Sequence, residues 1–318
     1  MTAESAPILS VIIPAFNEEA GIASTLHRLL GVLDGLGIIY EVVVVDDGSR
    51  DRTWEKLVEA RGGRAEVRLV RLTRNFGQQA ALSAGMDQAR GEAVAIIDAD
   101  LQDPPELLAE FIAKWREGYA VVFGIRANRK EGLLRRAGYK LFYRLLGRIS
   151  NVEIPRDAGD FSLMDRKVVD ILRRMPERNR FLRGMRSWTG FRHAGVPYDR
   201  PERAAGKPSY SWWKLIRLAL DGITSFSYVP LRLSIVLGGL VALFGVGMAV
   251  FATIWRVMQG GSVIAVGWAS TVVLICVIGG TQLVVLGIIG EYLARTYDEV
   301  KQRPTYIVGE LIGPEKKQ

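Results

Sequence analysis

Asp98-Ala99-Asp100 places two carboxylates one residue apart, directly after the apolar run Ala93–Ile97. Such a pair at a strand end can bind a hard divalent cation that also touches a diphosphate. That cation would offset the charge building on a nucleoside-diphosphate leaving group. Aspartates are common in turns, so the pair alone is a weak signal. Its continuation as Leu101-Gln102-Asp103-Pro104-Pro105 is far more specific. A second acidic turn, Asp46-Asp47-Gly48-Ser49, follows the run Glu41–Val45. Its carboxylates suit a uracil N–H or ribose hydroxyls, and Gly48 permits a close backbone turn. A simple Asp-Gly turn is the bland alternative. Pro14-Ala15-Phe16-Asn17-Glu18 makes a third polar turn after Leu9–Ile13.

These turns must be held by regular elements. Short β-branched runs recur at Leu9–Ile13, Glu41–Val45, Val67–Leu72, Ala93–Ile97 and Ala120–Phe123. Between them lie stretches of helical period, among them Ile22, Leu26, Leu29, Leu30 and Leu33. The alternation predicts an α/β fold with a mostly parallel, Rossmann-like sheet. In such sheets ligands lie beyond the carboxyl ends of the strands, where the three polar turns fall. Asp103 before Pro104 and Pro105 predicts a helix start with Asp103 as the cap acceptor. Beyond residue 150 the alternation stops. Leu133–Leu146 predicts a basic amphipathic helix, and Ser211–Phe226, with Trp212 and Trp213, a second interfacial one.

The chain has 318 residues, 24% charged and 49% hydrophobic, but the apolar residues are concentrated late. No charge occurs from Leu233 to Trp255 or from Val257 to Gly290. Each run is long enough for one membrane-spanning helix. The early run Ile8–Ala15 is too short for a signal peptide and lacks its basic start, so the catalytic part is expected in the cytoplasm. Cys276 is the only cysteine, which leaves no disulfide, and His27 and His193 are too few for a histidine-rich metal site. The net charge of +8 is clustered. One cluster runs from Arg126 through Arg135 and Arg136 to Arg148, and another from Arg173 to Arg192. Both suit phosphates, and two spans favour lipid over nucleic acid.

Taken together, Pro14…Asn17-Glu18, Asp46-Asp47-Gly48-Ser49, Arg74-Asn75-Phe76-Gly77 and Asp98 through Pro104 resemble family 2 glycosyltransferases of the GT-A fold. The similarity is greatest to the polyisoprenyl-phosphate branch, with dolichol-phosphate mannose synthases and bacterial polyprenyl-phosphate glucosyltransferases. It continues through Gly159-Asp160-Phe161-Ser162-Leu163-Met164-Asp165, both apolar runs and Gly290-Glu291-Tyr292-Leu293. The resemblance implies that Pro14, Asn17, Glu18, Asp46 and Asp47 line the nucleotide pocket. Asp98 would contact the nucleotide, and Asp98, Asp100 and Gln102 would hold Mg²⁺ or Mn²⁺. Asp160 would stand near the sugar and acceptor, as base or positioning group. Arg126 and Arg135 would receive the acceptor phosphate and Arg203 the donor diphosphate. The family pattern Arg-x-x-Gly-x-Ser-Lys-Tyr here reads Arg203-Ala-Ala-Gly206-Lys207-Pro208-Ser209-Tyr210, so Lys207 would supply the phosphate-binding charge from two residues earlier.

The implied organisation is a cytoplasmic GT-A domain over residues 1–208 with the basic helix at 133–148. An interfacial helix at 209–229, spans at 230–257 and 264–294, and a tail at 295–318 follow. The implied reaction is an inverting transfer of a hexose to polyprenyl phosphate. Glucose from UDP-glucose is nearest by resemblance, with mannose, GlcNAc and aminoarabinose left open. The Gln-x-x-Arg-Trp pentapeptide of processive polysaccharide synthases is absent. A non-catalytic scaffold would not need Asp98, Asp100 and Asp160 together. Gly238-Gly239 and Gly279-Gly280 permit close helix packing and an expected homo-oligomer.

Overall fold

The computed structural model describes residues 7–100, 102–126, 158–178, 180–199, 229–258 and 267–313. They divide into two compact units. The first is built on a single eight-stranded sheet in the order β7-β5-β6-β4-β1-β2-β3-β8. Its strands are β1 (Leu9–Ala15), β2 (Tyr40–Asp46), β3 (Val67–Leu72), β4 (Ala93–Ile96), β5 (Val121–Arg126), β6 (Ala158–Asp165), β7 (His193–Tyr198) and β8 (Val308–Ile312). The neighbours β3, β2, β1 and β4 are all parallel, as the strand–helix alternation predicts. β6 runs antiparallel to both β4 and β5, and β8 closes the far edge antiparallel to β3.

The central strands are largely apolar, as suits a sheet with helices on both faces, with Ser10, Glu41, Asp46 and Arg68 buried among them. Val42, Val43, Val44 and Val45 are all fully buried. Helix α1 (Ile22–Gly35) buries Ile22, Leu26, Leu29, Leu30 and Leu33, the stripe its period predicts. The others here are α2 (Thr53–Arg61), α3 (Gln78–Gln88), α4 (Leu108–Arg116), α5 (Arg166–Arg174) and α6 (Leu182–Trp188). The start after Asp103 differs from expectation. Pro104 is the N-cap of a 3-10 turn at Pro105–Leu107, and no side chain caps it. Asp103 instead accepts a hydrogen bond of 2.5 Å from the Tyr198 hydroxyl.

The C-terminal residues are not a separate tail, since β8 belongs to the sheet. The predicted helices at 133–148 and 209–229 lie outside the described residues.

The second unit contains α7 (Val229–Met258) and α8 (Gly267–Val300), which pack on each other. Leu233–Trp255 and Val277–Val300 are long and apolar enough to cross a membrane, and the most apolar part of each is not buried in the protein. Apolar helix surface of this extent associates the chain with a membrane. The glycine pairs at Gly238-Gly239 and Gly279-Gly280 touch nothing within 4 Å at the Cβ position.

Candidate active site

Asn17, at the end of β1, takes a left-handed conformation with φ 54°. This turns its backbone N–H onto Ser49 Oγ (3.0 Å), while its side-chain oxygen accepts from the Arg50 N–H (3.0 Å). The Glu18 N–H likewise donates to Thr53 Oγ1 (2.8 Å). The turns after β1 and β2 are thus laced together. Phe16, Asn17, Gly48, Ser49 and Arg50 line one side of a cleft of about 600 Å³, and Thr73, Arg74 and Asn75 line the other. Pro14 is half-buried in β1 and does not line the cleft.

Asp46 and Asp47 do not face this cleft; they are 0% and 2% exposed. Asp46 Oδ1 accepts from the Ser49 N–H, and Oδ2 lies 3.4 Å from Arg71 Nε. Arg71 in turn stacks over Trp54. Asp47 accepts from the N–H groups of Phe76 (2.7 Å) and Gly77 (2.9 Å), one on each oxygen. Burial pushes both carboxyls above their ordinary range, opposed by these donors. The expected ligand acceptors are loop anchors here. Their physical effect is to fix the cleft walls, and the polar side chains that line it are Asn17, Ser49, Arg50, Thr73, Arg74 and Asn75. Arg74 and Asn75 belong to a motif noted in the sequence, but their place in the cleft follows from the fold.

The second half of the site stands at the end of β4. Asp98 is half-buried and accepts from Gln78 Nε2 at 3.2 Å. Burial and the charges of Asp103, Asp160 and Asp100 push its carboxyl up to about 7. Asp100 Oδ1 accepts from the Gln102 N–H at 3.1 Å, which folds this turn back on itself. Gln102 is 8% exposed. Four acids whose charges meet at one strand end make an environment that a cation relieves. Among the described residues no three His, Cys, Asp or Glu form a ready ligand set. Asp98 and Asp100 could supply one or two carboxylates to a hard cation such as Mg²⁺ or Mn²⁺, leaving its other positions to substrate phosphates.

Asp160, on β6, is 7% exposed and grips Arg183 bidentately. The distances are 2.7 Å from Nε to Oδ1 and 2.8 Å from Nη2 to Oδ2. Antiparallel pairing carries β6 beside β4 and so brings Asp160 close enough to act on Asp98. Three residues along α6 from Arg183, Arg186 is buried and donates to the Gly159 carbonyl at 2.9 Å. Burial lowers its guanidinium to about 10. Arg173 pairs with Asp87, and Arg180 donates to the Leu172 carbonyl. Much of the second basic cluster therefore serves the protein's own carboxylates and carbonyls, which corrects its reading as a phosphate surface. Arg183 was visible only as one arginine in that run; its partner is set by the β6–α6 geometry.

Arg126 is the last residue of β5, opposite Tyr198. Arg135, Arg203 and Lys207 lie outside the described residues.

Residues 10–172 match the family described as Glycosyl transferase family 2. An uncharacterized glycosyltransferase of Synechocystis sp. is 46% identical over 308 residues, spanning 96% of both chains. The prophage bactoprenol glucosyl transferase homolog of Escherichia coli is 39% identical, covering 94% of this chain and 98% of its own. The bactoprenol glucosyl transferase of Shigella phage SfII is 40% identical over 94% of this chain and 97% of its own. Among solved structures, glucosyl-3-phosphoglycerate synthase from Mycobacterium tuberculosis aligns with a TM-score of 0.47 at 20% identity. That alignment covers 69% of this chain and 78% of the other.

Proposed function

The chain belongs to glycosyl transferase family 2, and from that premise we propose that it transfers a hexose from a nucleotide-sugar to a polyprenyl phosphate at the cytoplasmic membrane face. Glucose from UDP-glucose is the leading donor. The observation that carries this reading is the likeness to bactoprenol glucosyl transferases along nearly the whole chain, sheet and apolar helices alike.

The site supports the chemistry. The cleft between Asn17, Arg50, Arg74 and Asn75 offers amide and guanidinium donors to a nucleotide. Asp98 and Asp100 would hold Mg²⁺ or Mn²⁺, with Gln102 beside them, and the bound cation would supply charge neutralisation on the leaving diphosphate. A phosphate monoester is already anionic near neutral pH, so the acceptor oxygen needs little deprotonation. It attacks the anomeric carbon as the bond from that carbon to the donor phosphate breaks, and the nucleoside diphosphate leaves with the electron pair. Direct displacement inverts the anomeric centre. Asp160, held by Arg183, orients the reacting groups. Arg126 and Arg135 would bind the acceptor phosphate, and Arg203 and Lys207 the donor phosphates. Close packing at the glycine pairs would give a homo-oligomer.

The test is a panel of radiolabelled nucleotide-sugars with purified full-length protein, Mn²⁺ and undecaprenyl phosphate. Label from UDP-glucose should enter a lipid-extractable product. If no sugar reaches the lipid, the acceptor assignment fails. Preference for another donor would correct only the sugar.

A further inference from the structure

The stretch Thr73–Asn75 is one wall of the nucleotide cleft and belongs to no helix or strand. It is held at both ends. On the far side, Asp47 accepts from Phe76 and Gly77. On the near side, the Thr73 N–H donates to the carbonyl of Ile307 at 3.0 Å. Ile307 leads directly into β8, which pairs Val308 with Leu72, Glu310 with Arg71 and Ile312 with Leu69. The ladder is irregular between Arg71 and Leu72, where β3 ends and the cleft wall begins.

Two further contacts fix this segment. Tyr306 packs against the buried cluster of Val43, Val45, Val70, Leu72, Ala81 and Ala84, against which Phe76 also packs. Its hydroxyl donates to Asp87 at 2.5 Å, and Asp87 also takes Arg173. At Gly309 a Cβ would stand 3.2 Å from Thr73 Cγ2, so the strand passes close against the wall and a side chain there would press on Thr73.

We propose that residues Tyr306 to Gly309 are a positioning element of the donor site. The segment that follows the second long helix holds Thr73–Asn75 in the shape that receives the nucleotide. This rests on the nucleotide-sugar reading of the cleft. The competing account makes β8 only a cover for the exposed edge of β3, which would protect against misassociation but leave the cleft indifferent to it.

Gly309→Val in the full-length, detergent-solubilised protein separates the two, with Gly309→Ala as the milder change should the first fail to fold. Two readouts are taken: hydrogen exchange of the 72–77 backbone without ligand, and calorimetric titration with UDP. The expected result is faster exchange at Thr73 and Arg74 and a roughly tenfold weaker UDP affinity. Turnover at saturating donor and the acceptor KM should stay within about twofold, which separates positioning from general damage. Unchanged exchange together with unchanged UDP affinity in a folded variant would overturn the proposal. If the wild-type protein bound no UDP, the donor reading would fall, and the exchange measurement alone would decide whether β8 supports the wall.

Discussion

Arg183 engages both oxygens of Asp160 in a charge-assisted fork, so proton transfer to the carboxylate would compete with that pairing. Such a group positions better than it deprotonates, and a phosphate acceptor asks for little deprotonation. Asp160→Asn should therefore lower kcat far more than donor affinity, because its action is at the reacting centre. Arg183→Ala should mimic that loss and cost about 2 kcal/mol of stability, since it leaves a nearly buried carboxylate without its cation. Arg183→Lys should recover part of the stability but little turnover, because an ammonium cannot reproduce the fork. Combining Asp160→Asn with Arg183→Ala should cost scarcely more than one change alone. Additive losses in kcat would show that the two act separately. Asp100 makes a different prediction. Its side chain accepts from the Gln102 N–H within a local turn. Asp100→Ala should reduce transfer by more than about a hundredfold with the melting temperature nearly unchanged. Chelation should silence the wild-type protein and Mn²⁺ should restore it. Substantial transfer by Asp100→Ala with Mn²⁺ present would remove this carboxylate from the metal site.

The turn after β2 shows how an element shapes the cleft. Gly48 has φ +65°, and a Cβ there would lie 2.3 Å from the Arg74 carbonyl carbon, a contact with backbone that no rotamer relieves. Gly48→Ala should force the two cleft walls apart, costing about 2–4 kcal/mol and abolishing UDP binding. A normal UDP isotherm in that variant would mean that the walls tolerate separation. The sequence already pointed to this glycine, and to β1 through β5, because fully buried parallel strands write continuous apolar runs. β6 was not legible. Ala158–Asp165 carries two aspartates and a glycine, and its hydrophobic residues are too few to signal a strand. Its buried Asp160 is met by Arg183 arriving from α6. β7 contains Gly195 and Pro197, tolerable on an edge strand but indistinguishable from loop in the sequence. β8 is short and follows the long helices, so nothing local linked it to β3. Asp46 and Asp47 were found as important positions, but their direction was not. Period and composition mark a polar strand end without telling whether its carboxylates meet a ligand or the next loop.

For the molecule as a whole, the open question is which side of the membrane holds the sheet. α8 has 34 residues and is roughly 50 Å long, well beyond a hydrocarbon core of about 30 Å. The charges of the stretch Val277–Val300 all lie from Glu291 onward, at Glu291, Arg295, Asp298 and Glu299, so the crossing can instead be made by the charge-free Gly267–Gly290. Arg295 pairs with Glu291 at 3.0 Å in that polar end. Arg232 precedes the first apolar stretch, and Arg295, Lys301 and Arg303 follow the second, whereas Arg256 is the only basic residue near the segment that joins them. Basic residues are retained on the cytoplasmic side, so both ends of the chain should face the cytoplasm and the joining segment the opposite side. On the proposed reaction, this orientation would put the sheet on the side that holds the nucleotide-sugar. Cysteine labelling of intact cells tests the arrangement after Cys276 is replaced by serine. A cysteine at position 262, between the helices, should react with a membrane-impermeant maleimide. One at Glu59, on the exposed face of α2, should react only after the cells are opened. The reverse pattern would separate the cleft from cytoplasmic nucleotide-sugars, and the proposed reaction could not take place there.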